Sequence, residues 1–194
     1  MPRKVRRLID QGIYHIISRG HNRCELFRSV PDYDIYKHLI KKYKREFPFE
    51  LYHYCFMPNH VHLLLRISHG ANLPRLMQGI NQSYSQHYKK IYDMVGYLFQ
   101  GRYKALLIEN DGYLLECGRY IERNPLKAGI ENDLLRYAFS SFNFYVRGER
   151  DAILTPDPLY LGLAEKEEDR RRLYIDYVIQ ERLTDHLVNS HVMA

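Results

Sequence analysis

Phe56-Met57-Pro58-Asn59-His60-Val61-His62-Leu63-Leu64-Leu65 is the stretch from which the rest of the chain can be placed. Apolar residues dominate it, as in a buried β-strand, yet two histidines stand at its start. Side chains alternate faces along a strand, so His60 and His62 share one face while Val61 points to the other. Two parallel imidazoles on a rigid strand make two-thirds of a metal site. The ordinary reading of such a pair is two histidines on a polar rim. A third donor and a reacting group must come from elsewhere in the chain.

The flanking sequence supplies a frame. Gly12 to Ser18 reads as a first strand, followed by a basic turn, Arg19-Gly20-His21-Asn22-Arg23. Ser29-Val30-Pro31-Asp32 is a helix-start signal. Tyr36, Leu39, Ile40 and Tyr43 then recur at helical spacing, and Pro48 ends the helix. Glu50 to Met57 is a second strand, and Pro58-Asn59 turns tightly into the third, His60 to Ile67. A second helix carries Leu73, Leu76, Met77, Ile80, Tyr84, Tyr88 and Ile91 as its apolar stripe. Arg102 to Ile108 is a fourth strand. The order β-α-β-β-α-β predicts an α+β, ferredoxin-like or RRM-like fold, a four-stranded antiparallel sheet with both helices on one face. A third helix runs from about Asp111 towards Asn124, where Pro125 stops it. Its apolar side is read as Leu114, Leu115, Gly118 and Ile121, with Tyr113, Glu116, Tyr120 and Asn124 along another. Residues 137–146 are aromatic and are expected to pack back on the sheet. Residues 1–150 are taken as one domain and 151–194 as a helical extension of unassigned role. Within the extension, Asp151 to Pro158 reads as a linker. A charged helix from Glu165 to about Leu187 follows, with Leu173, Tyr174, Tyr177, Val178 and Ile179 as its apolar face.

The chain has 194 residues, 45% of them hydrophobic, enough for a real core. Lysine and arginine total 29 against 23 acidic residues, a net charge of +6. The excess lies in residues 1–162, at +8, which makes that part the expected partner of a polyanion. Eighteen tyrosines and eight phenylalanines interleave with the basic residues, a composition suited to stacking on unpaired bases. Cys24, Cys55 and Cys117 have no paired spacing, which argues against a zinc ribbon or a disulfide framework. No secretory h-region and no membrane-length apolar run is visible, so the expectation is a cytoplasmic protein without a membrane partner.

If the third helix crosses the histidine face of the sheet, two imidazoles, the Asn124 amide and the Tyr120 phenol meet. That donor set leaves open positions on Mg²⁺ or Mn²⁺ for phosphate oxygens and water. The ion would orient a scissile phosphate, and a tyrosine could attack it. Helical spacing alone favours Tyr120 among the tyrosines, because it sits one turn from Asn124. Tyr113 is an alternative nucleophile and Glu116 an alternative ligand or base.

Three segments carry a family resemblance: Tyr54 to Leu64, Phe99-Gln100-Gly101-Arg102-Tyr103-Lys104, and Arg119-Tyr120-Ile121-Glu122-Arg123-Asn124-Pro125-Leu126-Lys127-Ala128-Gly129. With Tyr14 to Arg23 and Tyr137 to Ser141, the chain resembles the single-tyrosine HUH transposases, and within them the REP-associated tyrosine transposases. The resemblance implies a metal-dependent endonuclease and transposase acting on single-stranded DNA with a palindromic hairpin. It implies His60, His62 and Asn124 as metal ligands and Tyr120 as the nucleophile that forms a 5′-phosphotyrosine. It alone adds the expectation of a bacterial, nucleoid-associated setting, and a monomer or a homodimer is compatible with it. Glu122 and Arg123 depart from the family's usual residues and are read as altering DNA contacts. Candidate backbone contacts are Arg3, Lys4, Arg6, Arg7, Arg19, Arg23, Arg102 and Lys104. The competing class is a non-catalytic protein that binds DNA or RNA hairpins and whose histidines are structural.

Overall fold

The computed structural model describes residues 7–180. Its first four strands and two helices follow the expected order: β1 (Ile13–Arg19), α1 (Val30–Glu46), β2 (Phe49–Met57), β3 (His60–Ile67), α2 (Leu73–Tyr92) and β4 (Lys104–Ile108). The strands pair in the order β2-β3-β1-β4, and every neighbour is antiparallel. This is the ferredoxin-like sheet read from the sequence. Strand bounds differ slightly: β1 runs one residue further, to Arg19, and Arg102 and Tyr103 precede β4.

Alternation divides the core in two. Tyr14, Ile16, Val61, Leu63 and Leu65 point to one face, where they pack with Tyr36 and Ile40 of α1 and Leu76, Met77, Ile80 and Tyr84 of α2. The start of α1 is closed by a capping box, in which the Asp32 carboxylate accepts from the Ser29 backbone N–H at 2.9 Å. The opposite face carries Cys55, Met57 and Leu64 and is covered by α3 (Asp111–Glu122) through Leu114, Cys117, Tyr120 and Ile121. Thus Tyr120 faces the sheet alongside Ile121. Leu115 instead joins a third cluster.

β2 contains an irregularity that the alternating pattern hides. Its register against β3 shifts between Leu51 and His53. Leu51 and Tyr54 pack on the α1–α2 face, whereas Tyr52 packs on the α3 face. The bulge turns His53 to the α3 side as well, where a Cβ on Gly118 would lie 2.7 Å from its Nε2. Re-aiming one side chain is what a bulge does.

After α3 come α4 (Asn124–Lys127), α5 (Phe142–Arg147), α6 (Pro158–Leu161) and α7 (Glu167–Ile179). The aromatic segment at 137–146 packs on β2 as expected: Ser140 bridges Cys55, and the Tyr137 hydroxyl donates to the Phe56 carbonyl at 2.7 Å. Residues 151–158 are not a linker. Leu154 forms a parallel bridge with Leu51, Lys44 donates to the Ile153 carbonyl at 2.9 Å, and Lys37 pairs with Asp151 at 2.8 Å. The apolar face of α7 is narrower than the sequence suggests. Tyr174 and Val178, one turn apart, are fully buried, while Leu173 and Ile179 are exposed. The remainder of the expected last helix, residues 181–187, lies outside the described residues. Among the described residues the three cysteines are free thiols, and no helix is long and apolar enough to cross a membrane.

Candidate active site

His60 and His62 open β3, opposite Arg19 and Ile17 of β1. α3 lies across them, so the Tyr120 ring centroid sits 6.1 Å from that of His62. His60 and His62 themselves are 4.9 Å apart, centroid to centroid. Both line a cavity of about 360 Å³ together with Tyr120, Asn124, Arg19 and Lys104. Four segments far apart in sequence therefore converge on one space.

The hydrogen bonds within the site leave its donors aimed at that space. His60 Nδ1 is 2.6 Å from the Asn59 side-chain oxygen, and His62 Nδ1 is 2.8 Å from His15 Nε2. On each ring Nε2 remains for the cavity. The Asn124 amide nitrogen donates to the Tyr120 and Ile121 carbonyls, both at 3.0 Å, at the end of α3. That arrangement fixes the amide so that its oxygen is left as a donor to a ligand. Burial holds His60 down at about 4, assisted by the Arg19 charge, and holds His15 at about 3. Burial and the neighbouring His15, His60 and Arg19 push His62 well below its ordinary range. All three rings are neutral at pH 7, the state a metal ligand requires. Among the described residues no group of three or more His, Cys, Asp or Glu side chains could hold a metal ion. The Asn124 amide oxygen, on the lining of the same cavity, adds a neutral donor to the two imidazoles. Two neutral imidazoles and one amide oxygen fit a divalent cation that keeps positions for phosphate and water.

His15 was not singled out from the sequence. It is 1% exposed and stacks on His62 with ring centroids 5.1 Å apart. If His62 binds through Nε2, its Nδ1 carries the proton and donates it to His15 Nε2, which sets the tautomer and orientation of both rings. One sequence signal was available. His15 alternates on β1 with Ile13 and Ile17, both on the α3 side of the sheet.

Burial, with Cys117 and Tyr113 nearby, raises the Tyr120 phenol to about 12. The Lys127 ammonium lies 4.4 Å from the centre of its ring. Tyr113 and Glu116, the alternative reacting groups, do not line the cavity. Glu116 instead accepts from Arg119 at 3.0 Å and from the Tyr177 hydroxyl at 2.7 Å.

The basic candidates separate into groups. Arg19, Arg102 and Lys104 line the cavity. Arg19 Nε is buried with no hydrogen-bond partner among the described residues, a donor suited to a phosphate oxygen. Arg23 is not among the lining residues, and Arg7 pairs with Glu109 away from the site. Arg3, Lys4 and Arg6 lie outside the described residues.

Glu122 and Arg123 do not form a DNA-contacting surface. Glu122 is fully buried. Its carboxylate accepts from Ser141 at 2.6 Å and Tyr174 at 2.7 Å and lies 3.0 Å from His53 Nδ1. The other His53 nitrogen is 3.0 Å from the buried Asp157 carboxylate. Burial alone would push the His53 imidazole down; its hydrogen bonds to Asp157 and Glu122 outweigh that and lift it to about 9. Arg123 donates to the carbonyls of Val178 and Ile179, both at 2.7 Å, and Arg119 to that of Tyr177 at 2.9 Å. Two cations at the end of the helix that bears Tyr120 thus cap the carbonyl end of α7.

Fold and site together define a protein whose sheet carries helices on one face and a basic, metal-compatible, tyrosine-bearing cavity on the other. The family profile described as transposase IS200 like matches residues 9–124, and the chain belongs to that family. It is a DNA-processing transposase by that membership. Among solved structures, a REP-associated tyrosine transposase bound to a REP hairpin is similar at 23% identity and a TM-score of 0.67, covering 81% of this chain and 93% of that one. A candidate transposase from Deinococcus radiodurans R1 aligns at 19% identity and a TM-score of 0.44, over 68% of this chain and 97% of that one. No curated protein matches the sequence.

Proposed function

We propose that the protein is a metal-dependent, single-strand DNA nicking and rejoining enzyme that acts at hairpin-bearing sites through Tyr120. The observation that carries the reading is the convergence of His60, His62, Asn124 and Tyr120 on one cavity walled by arginine and lysine. His60 Nε2, His62 Nε2 and the Asn124 side-chain oxygen would hold Mg²⁺ or Mn²⁺. When bound, the cation would supply positive charge to the scissile phosphate and to a developing phenolate. The chain's own residues do the rest. Arg19 and Lys104 hold the strand's phosphates, and α3 delivers the Tyr120 oxygen against the sheet. The phenol gives its proton to water, its oxygen forms the new bond to phosphorus, and the bond from phosphorus to the 3′ oxygen breaks. That oxygen takes up a proton, giving a free 3′-OH and a 5′-phosphotyrosine. Attack by another 3′-OH reverses the step and rejoins the strand. The hairpin is inferred from the similar fold of the REP-associated transposase, which was solved on one.

The test is a covalent adduct. The protein is incubated with labelled single-stranded DNA carrying a palindromic hairpin and unpaired flanks, in Mg²⁺ or Mn²⁺, and resolved under denaturing conditions. A metal-dependent, protein-linked band is expected from the wild type and none from Tyr120→Phe. An adduct that persists in Tyr120→Phe refutes the nucleophile, and its absence from the wild type on hairpins of varied flanks refutes the reaction.

A further inference from the structure

A second cavity, of about 520 Å³, lies between α2 and the loop that precedes β4. It shares Gly101 and Arg102 with the first cavity, so the two adjoin at those residues. Its walls include Gln78, Gln82 and Lys89 from α2 and Tyr97, Phe99 and Arg102 from the loop. Gln78, Gln82 and Lys89 stand at helical spacings of four and seven, which puts their exposed side chains along one stripe. The floor is apolar, with the fully buried Met77 and Leu98.

Two features suit this cavity to a flat aromatic ligand attached to an anion. Tyr97 is 81% exposed, an unusual position for so large a ring, and stands at the wall. The loop beneath it is held by the backbone. The His21 N–H donates to the Leu98 carbonyl at 2.8 Å, Phe99 bridges Gly20, and the Gln100 N–H donates to the Arg19 carbonyl at 2.9 Å. Gly101 turns the chain at a φ of +107°, a conformation for which glycine is the natural residue. The wall is therefore pinned to the end of β1, next to the catalytic Arg19.

Resting on the proposed single-strand reaction, we infer that this cavity is a subsite for one unpaired base flanking the scissile phosphate. Tyr97 stacks on the base, the Gln78 and Gln82 amides read its edge, and Lys89 and Arg102 neutralise the adjoining phosphates. Stacking on an exposed aromatic ring gives affinity for any base, and side-chain amides add preference through paired donor and acceptor contacts. The apolar floor under a polar and cationic rim is the lining such a ligand needs.

The test separates base recognition from chemistry. Fluorescein-labelled dA12, dC12 and dT12 and an abasic strand of the same length and charge are titrated by anisotropy in EDTA. The wild type is expected to bind one of the base-bearing strands about ten-fold more tightly than the abasic strand. In Tyr97→Ala and in Gln82→Ala that ratio falls towards one. Both side chains are exposed, so neither variant should unfold, and a thermal melt checks this. A wild-type ratio near one, or a ratio unchanged in both variants, overturns the subsite. Failure of the Tyr120 adduct would refute the proposed reaction and leaves the ratio to be read on its own.

Discussion

The most direct physical test of how α3, the helix that bears Tyr120, is held concerns His53. Its imidazole lies between Glu122 of α3 and Asp157 of the C-terminal extension, fully buried, with both nitrogens at 3.0 Å from a carboxylate oxygen. Those bonds raise it from 6.5 to about 9. A group whose pKa is higher in the folded state contributes stability that is complete below its unfolded value and is lost as pH rises through its folded value. A rise of about 2.5 units corresponds to roughly 3 kcal/mol below pH 6. The same relation leaves about 2 kcal/mol at pH 7.5 and less than about 0.5 kcal/mol at pH 9. His15, His60 and His62 act in the other direction, because burial depresses all three. Their neutral folded forms favour the unfolded chain as pH falls through about 6.5, so that opposing effect has largely gone by about pH 7.5 and His53 dominates above it.

Urea unfolding at half-unit steps from about pH 7.5 to 9 should therefore show stability falling, with a slope of about 1 kcal/mol per pH unit at its steepest. The His53 Cε1–H resonance should titrate near 9 in the same samples. Glu122→Gln keeps an acceptor oxygen for only one of Ser141 and Tyr174, which bond different oxygens of the carboxylate, and removes one of the two charges facing His53. It should lower that pKa, flatten the slope, and cost on the order of 3 kcal/mol at pH 7, as for a buried pair that loses one member. A wild-type curve that is flat from pH 7.5 to 9, or a His53 resonance that titrates below 7, would refute the charged buried bridge.

Gly118→Ala places a methyl group against the His53 ring, which is fixed at both nitrogens and cannot swing aside. A loss of about 1–3 kcal/mol is expected by chemical denaturation, and an unchanged midpoint would show that α3 does not pack this closely. His15→Asn removes the ring that sets the His62 tautomer, and Mn²⁺ affinity read by electron paramagnetic resonance should weaken about 10- to 100-fold. Unchanged affinity would make His15 a packing residue only. Arg123→Leu leaves the Val178 and Ile179 carbonyls without their cap. It should increase hydrogen exchange at the end of α7 and lower stability by about 1 kcal/mol; unaltered exchange there would count against the clasp.

The sheet and the site were legible for different reasons. A four-stranded ferredoxin-like sheet follows from alternation, helix periodicity and turn residues, all of which are local, and each strand fell within two residues of its reading. His60 and His62 were readable because the period of a strand is two, and Tyr120 and Asn124 because the period of a helix is near four. What stayed hidden depends on contacts between distant segments. The bulge after Leu51 adds one residue to β2 without any glycine or proline to signal it, so His53 was taken as one more strand residue. Glu122 and Arg123 read as exposed residues that alter DNA contacts, because a carboxylate and a guanidinium are seldom buried without partners and the partners lie 19 to 69 positions away at Ser141, Tyr174, Val178 and His53. Asp151 to Pro158 looked like a linker because its prolines break helices, although proline is equally at home in an extended segment docked against a sheet edge.

These hidden contacts alter what α3 is. On its sheet side it carries Tyr120 towards the histidines, and on its other sides its own charged groups are held by the extension. Arg119 and Arg123 hold the end of α7, and Glu122 reaches Asp157 through His53. A nucleophile that must meet a phosphate within a few tenths of an ångström needs a rigid support. Apolar contact with the sheet through Leu114, Cys117 and Ile121 fixes the depth of α3 but leaves it able to slide, since such contacts are not directional. Hydrogen bonds to His53 and to specific carbonyls of α7 are directional and set its position along and around its own axis. The C-terminal extension thus belongs to the same mechanical unit as the tyrosine. Loosening the buried bridge at high pH should reduce Tyr120 adduct formation before it unfolds the sheet, because α1, α2 and their core on the opposite face contain none of the bridge's residues.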